Sequence, residues 1–185
     1  MTTPDDLFAL IDDVFAQRGA VAYFGEAVTQ AEHMLQTAAL AEEEQAGDAL
    51  IVAALLHDIG HLMSGERDDA LHERVDHRHD QLGARVLARW FPPLVVDAVR
   101  LHVAAKRYLC AVEPDYHADL SPASQHSLML QGGPMTPPEV AMFEAEPFHA
   151  EAVRLRRWDD RGKVPGLAGL SLDRFRPMIA RIVQH

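Results

Sequence analysis

The stretch ALIVAALLHDIGHLM (residues 49–63) decides how this chain is read. Eight apolar residues run from Ala49 to Leu56, and His57, Asp58 and His61 follow within five positions. The run is too long and too little alternating for a half-buried strand, so we expect one helix over 48–63. On an ideal helix each residue turns about 100°, which places His57 and His61 about 40° apart with Asp58 inside the same arc of about 100°. Val52, Leu55, Leu56, Ile59 and Leu62 fall on the opposite side, where they anchor the helix to a core. Taken alone, the polar residues read first as a solvated helix face. Imidazole nitrogen with carboxylate oxygen also suits divalent and trivalent first-row metals, and a carboxylate between imidazoles can bridge two ions about 3.5–4 Å apart.

Outward from this stretch, apolar residues keep helical spacing and no β-branched run bounded by turn residues appears, so the chain is expected to be all-α, a helical bundle. Thr3-Pro4-Asp5-Asp6 reads as an N-cap, a first-turn proline and first-turn carboxylates, opening a helix that runs to Gly19. Further helices are expected over 26–45, 79–91, 93–111 and 148–158, and from Ser171 to Val183. Ser121-Pro122 and Thr136-Pro137 read as helix starts separated by the QGGP break at 131–134, and the charged segment 64–78 reads as a loop. No repeat or long linker divides the sequence, so residues 1–185 are expected to form one domain.

Composition narrows the function. A formal charge of −11, from 17 Lys+Arg against 28 Asp+Glu, argues against a nucleic-acid partner, because phosphate backbones are gripped by dense Lys/Arg surfaces. Any anionic ligand must therefore meet a local positive site. Cys110 stands alone, which excludes an intramolecular disulfide and a multi-thiolate zinc site and fits a reducing compartment. The N-terminus is acidic where a secretory signal is basic, and no apolar run approaches the ~20 residues of a membrane span. The expectation is a cytoplasmic protein with no membrane partner.

A metal at His57 and Asp58 needs further ligands. The expected helices carry His33, His79 and His102, and either Asp159 or Asp160. Each is unremarkable alone, but a helical bundle can project such side chains to one point.

The ordered series His33, His57-Asp58, His79, His102 and Asp159 or Asp160 resembles the HD-domain superfamily of metal proteins over most of the chain. The segments YFGEAVTQAEHMLQTAALAE (23–42), HDIGHL (57–62), LQGGPM (130–135) and RRWDDRGKVPG (156–166) are more narrowly similar to the phosphonate-degrading, PhnZ-like HD-domain oxygenases, relatives of myo-inositol oxygenase. That resemblance implies a mixed-valent Fe(II)/Fe(III) pair. His33, His57, Asp58 and Asp159 would bind one iron and His79 and His102 the other, with Asp58 bridging. Asp159 is preferred to Asp160 because the family ligand stands four residues before a lysine, here Lys163. His79 is preferred to His72 and His77 because H-D-x-x-G-A begins there.

Lys106 lies four residues after His102, and His61 four after His57, so each shares a helix face with a proposed ligand. They are candidates to hold a phosphonate dianion, with Ser124, Ser127 and Arg156 as further candidate contacts. The resemblance also implies that Tyr23 and Glu26 cover the substrate-binding iron until substrate displaces them, and Glu26 would attract a substrate ammonium group. Tyr23, Glu26, His61 and Lys106 are thus the candidate catalytic residues.

The implied activity uses O2 to cleave the carbon–phosphorus bond of a small 1-hydroxyalkylphosphonate: hydrogen abstraction at C1, oxygen insertion there, then collapse to phosphate and a carboxylic acid. For 2-amino-1-hydroxyethylphosphonate the acid is glycine. The alternative is an HD-type phosphohydrolase, in which the same ligands hold a metal that activates water. The matches around Tyr23, Glu26, His33 and LQGGPM favour the oxygenase. A metal-stabilised sensor or assembly module, the non-enzymatic alternative, gives no reason for Lys106 beside an intact ligand set.

Overall fold

Short polar signals start the helices. In the computed structural model, which describes residues 3–23, 26–64 and 78–184, Thr3 caps α1 (Pro4–Arg18) and Thr29 caps α2 (Gln30–Glu43). In each, the threonine side chain accepts from a backbone N–H three residues on, and an acidic side chain there (Asp6 or Glu32) accepts from the threonine backbone N–H. Such reciprocal caps satisfy two otherwise orphaned donors, and losing a threonine cap costs roughly 0.5–2 kcal/mol. The remaining helices are α3 (Asp48–Leu56), α4 (Ile59–Ser64), α5 (His79–Leu87), α6 (Pro93–Val112), α7 (Tyr116–Asp119), α8 (Pro122–Leu130), α9 (Pro137–Glu144), α10 (His149–Arg161) and α11 (Arg176–Ile182). A 3-10 turn over Leu172–Arg174 precedes α11. Among the described residues the only β pairing is an isolated bridge between Ala22 and Thr29, so the fold is all-α.

Helix α3 forms the centre of the bundle. Every residue from Leu50 to Leu56 is buried, the pattern of a helix covered on all sides. It packs against α2, α6, α10 and α11, and Leu55 and Leu56 meet a core that includes Leu7, Ile11, Met34, Trp158 and Phe175. Truncating Leu55 to alanine would cost about 2–5 kcal/mol, the range for a buried leucine that leaves a cavity. The long α6 lies along α10, α5 and α3, so segments distant in sequence meet on one helical scaffold.

The expected single helix over 48–63 is in fact two. α3 ends at Leu56 and α4 begins at Ile59, leaving His57 and Asp58 in the junction. There the His61 N–H donates to the Asp58 carbonyl at 2.9 Å, a three-residue bond tighter than the α-helical repeat. The apolar face expected of this stretch is buried, but so is its polar part: His57 and Asp58 are as enclosed as the leucines. A solvated face is therefore not what these residues form.

Elsewhere the expected helices are present with shifted ends, α2 starting at Gln30 where 26 was expected, and α5 ending at Leu87 where 91 was expected. The QGGP break is built from Gly132 and Gly133 at positive φ. Most of the expected loop 64–78, with His72 and His77, lies outside the described residues. Among the described residues no helix is long and apolar enough to cross a membrane.

Candidate metal centre

Four helices and the α3–α4 junction bring six side chains together: His33 from α2, His57 and Asp58 from the junction, His79 at the start of α5, His102 from the middle of α6 and Asp159 from α10. All six are buried. Two glycines allow the close packing this requires. A Cβ on Gly60 would lie 2.0 Å from the His79 carbonyl oxygen, so α4 can rest on the backbone of the α5 terminus only without a side chain there. A Cβ on Gly162 would meet the Thr37 hydroxyl at 2.5 Å, in the same contact where the Gly162 carbonyl receives a hydrogen bond from His33.

The backbone fixes the imidazole tautomers. Nδ1 of His33 faces the Gly162 carbonyl at 2.9 Å, Nδ1 of His57 the Ala54 carbonyl at 2.8 Å, and Nδ1 of His102 the Val99 carbonyl at 2.7 Å. A carbonyl only accepts, so each Nδ1 carries the hydrogen and each Nε2 presents a lone pair. The Nε2 atoms converge: those of His33 and of His57 are 3.1 Å apart, as are those of His79 and of His102. With both rings neutral, the bare nitrogens of His33 and His57 cannot hydrogen-bond to each other, and a shared cation resolves the contact. The same pattern, one ring nitrogen tied to a carbonyl and the other free, is what orients metal-binding histidines generally.

Asp58 stands between the two histidine pairs. Its Oδ2 is 3.4 Å from His57 Nε2 and 3.7 Å from His33 Nε2, while its Oδ1 is 3.4 Å from His79 Nε2 and 3.5 Å from His102 Nε2. Asp159 closes the first pair, with Oδ1 3.3 Å from His33 Nε2 and Oδ2 3.9 Å from His57 Nε2. Asp58 Oδ2 and Asp159 Oδ1 are buried and accept no hydrogen bond. Leaving such oxygens unsatisfied is costly in an apolar interior, so the donor set fits metal ions of imidazole and carboxylate preference.

Without a metal, a proton takes the cation's place beside the carboxylates. Burial alone would lift the Asp58 carboxyl, but the charge of His57 and the nearness of the His102 ring hold it well below the usual range. Burial pulls the His57 imidazole down, yet the Asp58 carboxylate outweighs it and brings the group up to about 8. Burial, then His61, drives His79 well below the ordinary histidine value, keeping it neutral and able to donate its lone pair.

The other candidate residues surround this cluster. His61 stacks on His79, ring centroids 3.7 Å apart, and its ligating atom lies within 4.8 Å of those of Asp58 and His79. Tyr23 stacks on His33 at 4.0 Å. Glu26 is held in the same turn by its backbone N–H, which donates to the Tyr23 carbonyl at 2.7 Å. Lys106 is buried on α6, and its ammonium donates to Ser127 Oγ at 2.7 Å; Ser127 Oγ in turn donates to the Ser124 carbonyl. Arg156 is directed otherwise: its two Nη atoms go to Asp159 and Asp160.

One charged neighbour escaped the sequence reading as a site residue. Lys163 donates to Ser124 Oγ at 3.0 Å, lies 3.7 Å from the Glu26 carboxylate and sits over the Tyr23 ring at 5.7 Å. Its spacing from Asp159 marks it in the sequence, but its surroundings depend on a clamp that no local pattern announces. Gln36 on α2 donates to the Val164 carbonyl and accepts from the Val164 N–H, pinning the chain just after Lys163.

A buried quartet of histidines around an aspartate that follows one of them, in an all-helical bundle, defines a class. The chain belongs to the HD-domain family, whose model matches residues 31–159. Within it the chain falls in the PhnZ-like group. It is 45% identical over 178 residues to [1-hydroxy-2-(trimethylamino)ethyl]phosphonate dioxygenase (glycine-betaine-forming) of Leisingera caerulea, covering 96% of this chain and 91% of that one. It is 44% identical over 184 residues to hydroxymethylphosphonate dioxygenase of Gimesia maris, covering 99% and 91%.

Proposed function

We propose that this protein is a cytoplasmic, iron-dependent oxygenase, one domain over 1–185, that uses O2 to cleave the carbon–phosphorus bond of a small 1-hydroxyalkylphosphonate. The observation that carries the reading is Asp58, with one oxygen near each pair of histidine Nε2 atoms. Its support in kind is the near full-length similarity to two dioxygenases whose names both specify hydroxylated phosphonates.

His33, His57, Asp58 and Asp159 would hold one iron and His79 and His102 the other, with Asp58 shared and the pair mixed-valent, Fe(II)/Fe(III). Bound iron would supply the electron transfer to O2 that no side chain of this chain provides. The protein's own part is recognition and exclusion. Lys106, oriented by Ser127 and Ser124, offers a buried ammonium to the phosphonate, a charge-assisted contact in an otherwise acidic chain. His61, beside His79, is a second phosphonate contact. Tyr23 and Glu26 cover the His33 side and keep water out until substrate enters, and Glu26 would face a cationic substituent at C2 such as the ammonium of 2-amino-1-hydroxyethylphosphonate.

The reaction balances with O2 as the sole oxidant. The C1–H and C1–P bonds break and C1 loses four electrons to O2. One oxygen atom enters the carboxylate and the other the phosphate, and one proton is released.

Phosphate release from hydroxymethylphosphonate and its 2-amino and 2-trimethylamino homologues, with and without O2, tests the proposal. Phosphate must form only with O2, one labelled atom from O2 must appear in the acid, and deuterium at C1 must slow the chemical step. Oxygen-independent turnover of phosphate esters, with none of hydroxyphosphonates, would identify a hydrolase instead.

A further inference from the structure

Asp159 presents its two oxygens to different partners. Oδ2 lies 2.7 Å from Arg156 Nη1, whereas Oδ1 is buried, accepts no hydrogen bond and sits 3.3 Å from His33 Nε2. The His33 ring hydrogen is committed to Gly162, so that nitrogen cannot donate to Oδ1. One oxygen of the carboxylate is thus occupied by a guanidinium and the other is left open toward the histidines.

What holds the guanidinium is equally specific. Arg156, Asp159 and Asp160 stand at i, i+3 and i+4 on α10, so both carboxylates reach one arginine across a single turn. Arg156 Nη1 binds Asp159 and Nη2 binds Asp160. Asp160 in turn accepts from the hydroxyl of Tyr116, which opens the short helix α7 across the bundle. The arginine side chain is 5% exposed, that of Asp159 2% and that of Asp160 20%, so this chain of contacts runs inward from near the surface. An ordinary surface pair at this spacing is worth only about 0.3–0.5 kcal/mol. A buried arginine with both terminal nitrogens taken by carboxylates is a different arrangement, because neither charge can turn to water.

We propose that Tyr116, Asp160 and Arg156 form a positioning relay that makes Asp159 a one-oxygen ligand. The guanidinium takes Oδ2, Asp160 fixes the guanidinium, and the Tyr116 hydroxyl fixes Asp160. This assigns Arg156 to positioning Asp159 in place of contacting phosphonate, and assigns Asp160 and Tyr116 a role distinct from ligation. The relay rests on the proposed metal centre.

The test is Fe(II) binding by the full chain without substrate, measured as iron retained per chain against a competing chelator, with the melting temperature of the metal-free protein recorded alongside. The variants are Asp160→Ala, Asp160→Asn and Tyr116→Phe. Residues that orient metal ligands typically change affinity ten- to a hundredfold, so Asp160→Ala should weaken retention by about that factor. Asp160→Asn, whose amide oxygen can still accept from Arg156 while its NH2 can only donate to the Tyr116 oxygen, should lose less, and Tyr116→Phe should lose affinity in the same direction with the metal-free melting temperature unchanged. Because Tyr116→Phe removes a single hydroxyl, it decides the matter even if an Asp160 variant does not fold. Wild-type iron affinity in Tyr116→Phe, or a fall in melting temperature with iron retention intact, overturns the relay. A wild-type chain that binds no iron overturns the metal centre itself, a separate outcome.

Discussion

Gly60→Ala is the most direct probe of how the fold builds the site, because its consequence can be worked from one contact. The added methyl would lie 2.0 Å from the His79 carbonyl oxygen, 2.8 Å from the carbonyl carbon and 3.0 Å from Cα. These are backbone atoms, so no rotamer change relieves them. Carbon atoms in good contact stand about 3.5–4.0 Å apart, so α4 and the start of α5 must separate by more than about 1 Å. Overpacking of this kind typically costs about 1–3 kcal/mol, and in a chain of this size each kcal/mol lowers the melting temperature by about 2–4 °C. The variant should fold. The displacement falls on His79, however, and metal–ligand distances tolerate only about ±0.2 Å. Gly60→Ala should therefore lose the ion on the His79 and His102 side while keeping most of the one held by His33, His57 and Asp159. Metal analysis with a thermal melt reads both effects. A Gly60→Ala protein with wild-type metal content and activity would show that the contact with His79 does not set its position, and the reasoning would fail.

Lys106→Ala should raise KM for a hydroxyphosphonate with iron content unchanged, since the ammonium pairs with the anion and has no lone pair for metal; lost iron with intact affinity would reverse the assignment. Burial first, then Arg156, depresses the Lys106 ammonium to about 7 against about 10.4 in an unfolded chain. Between those values the unfolded chain binds more protons, so Lys106 makes stability rise with pH from about 7 to about 10.4. In metal-free protein, Lys106→Met should remove that slope, and parallel stability–pH curves for the two proteins would refute it. In the native enzyme, affinity for the phosphonate dianion should fall as pH rises above 7, where Lys106 loses its charge; Lys106→Met should bind weakly and without that dependence. Asp58→Asn keeps the shape but removes the charge shared by both histidine pairs, so iron should fall at both positions together. Loss of one ion alone would show that Asp58 serves a single metal.

How much of this was legible in the sequence varies by element. The all-α class follows from spacing, and the threonine caps at Thr3 and Thr136 with their prolines mark helix starts where the structure has them. The histidines and Asp58 could be gathered as a set because imidazoles on separate helices have few other reasons to recur. The α3–α4 break was not legible. An apolar run that continues past His57 with Ile59 and Leu62 satisfies helical periodicity, and the deviation is a change of hydrogen-bond partner at one junction. Arg156 stood out in the sequence only as a candidate phosphonate contact, because a sequence shows its charge but not that Asp159 and Asp160 take both terminal nitrogens. Tyr116 gave no signal at all: α7 is a four-residue helix, too short for periodicity, and the tyrosine meets Asp160 only through the folding of α6 against α10.

That unforeseen break has a chemical consequence. In an unbroken helix buried on all sides, Asp58 would have to share the environment of Leu55 and Ile59, an unpaired carboxylate among apolar neighbours at a cost of several kcal/mol. Ending α3 at Leu56 leaves the Ala54 carbonyl free to receive Nδ1–H of His57, which aims that ring's lone pair. Starting α4 at Ile59 brings Gly60 onto the His79 backbone, which delivers the second histidine pair to the other carboxylate oxygen. The apolar residues before the break and those after it are therefore the two halves of one device: the first anchors His57 and Asp58 in the core, and the second positions what Asp58 must reach. Moving the break by one residue would turn Asp58 by about 100° and point its carboxylate at neither pair.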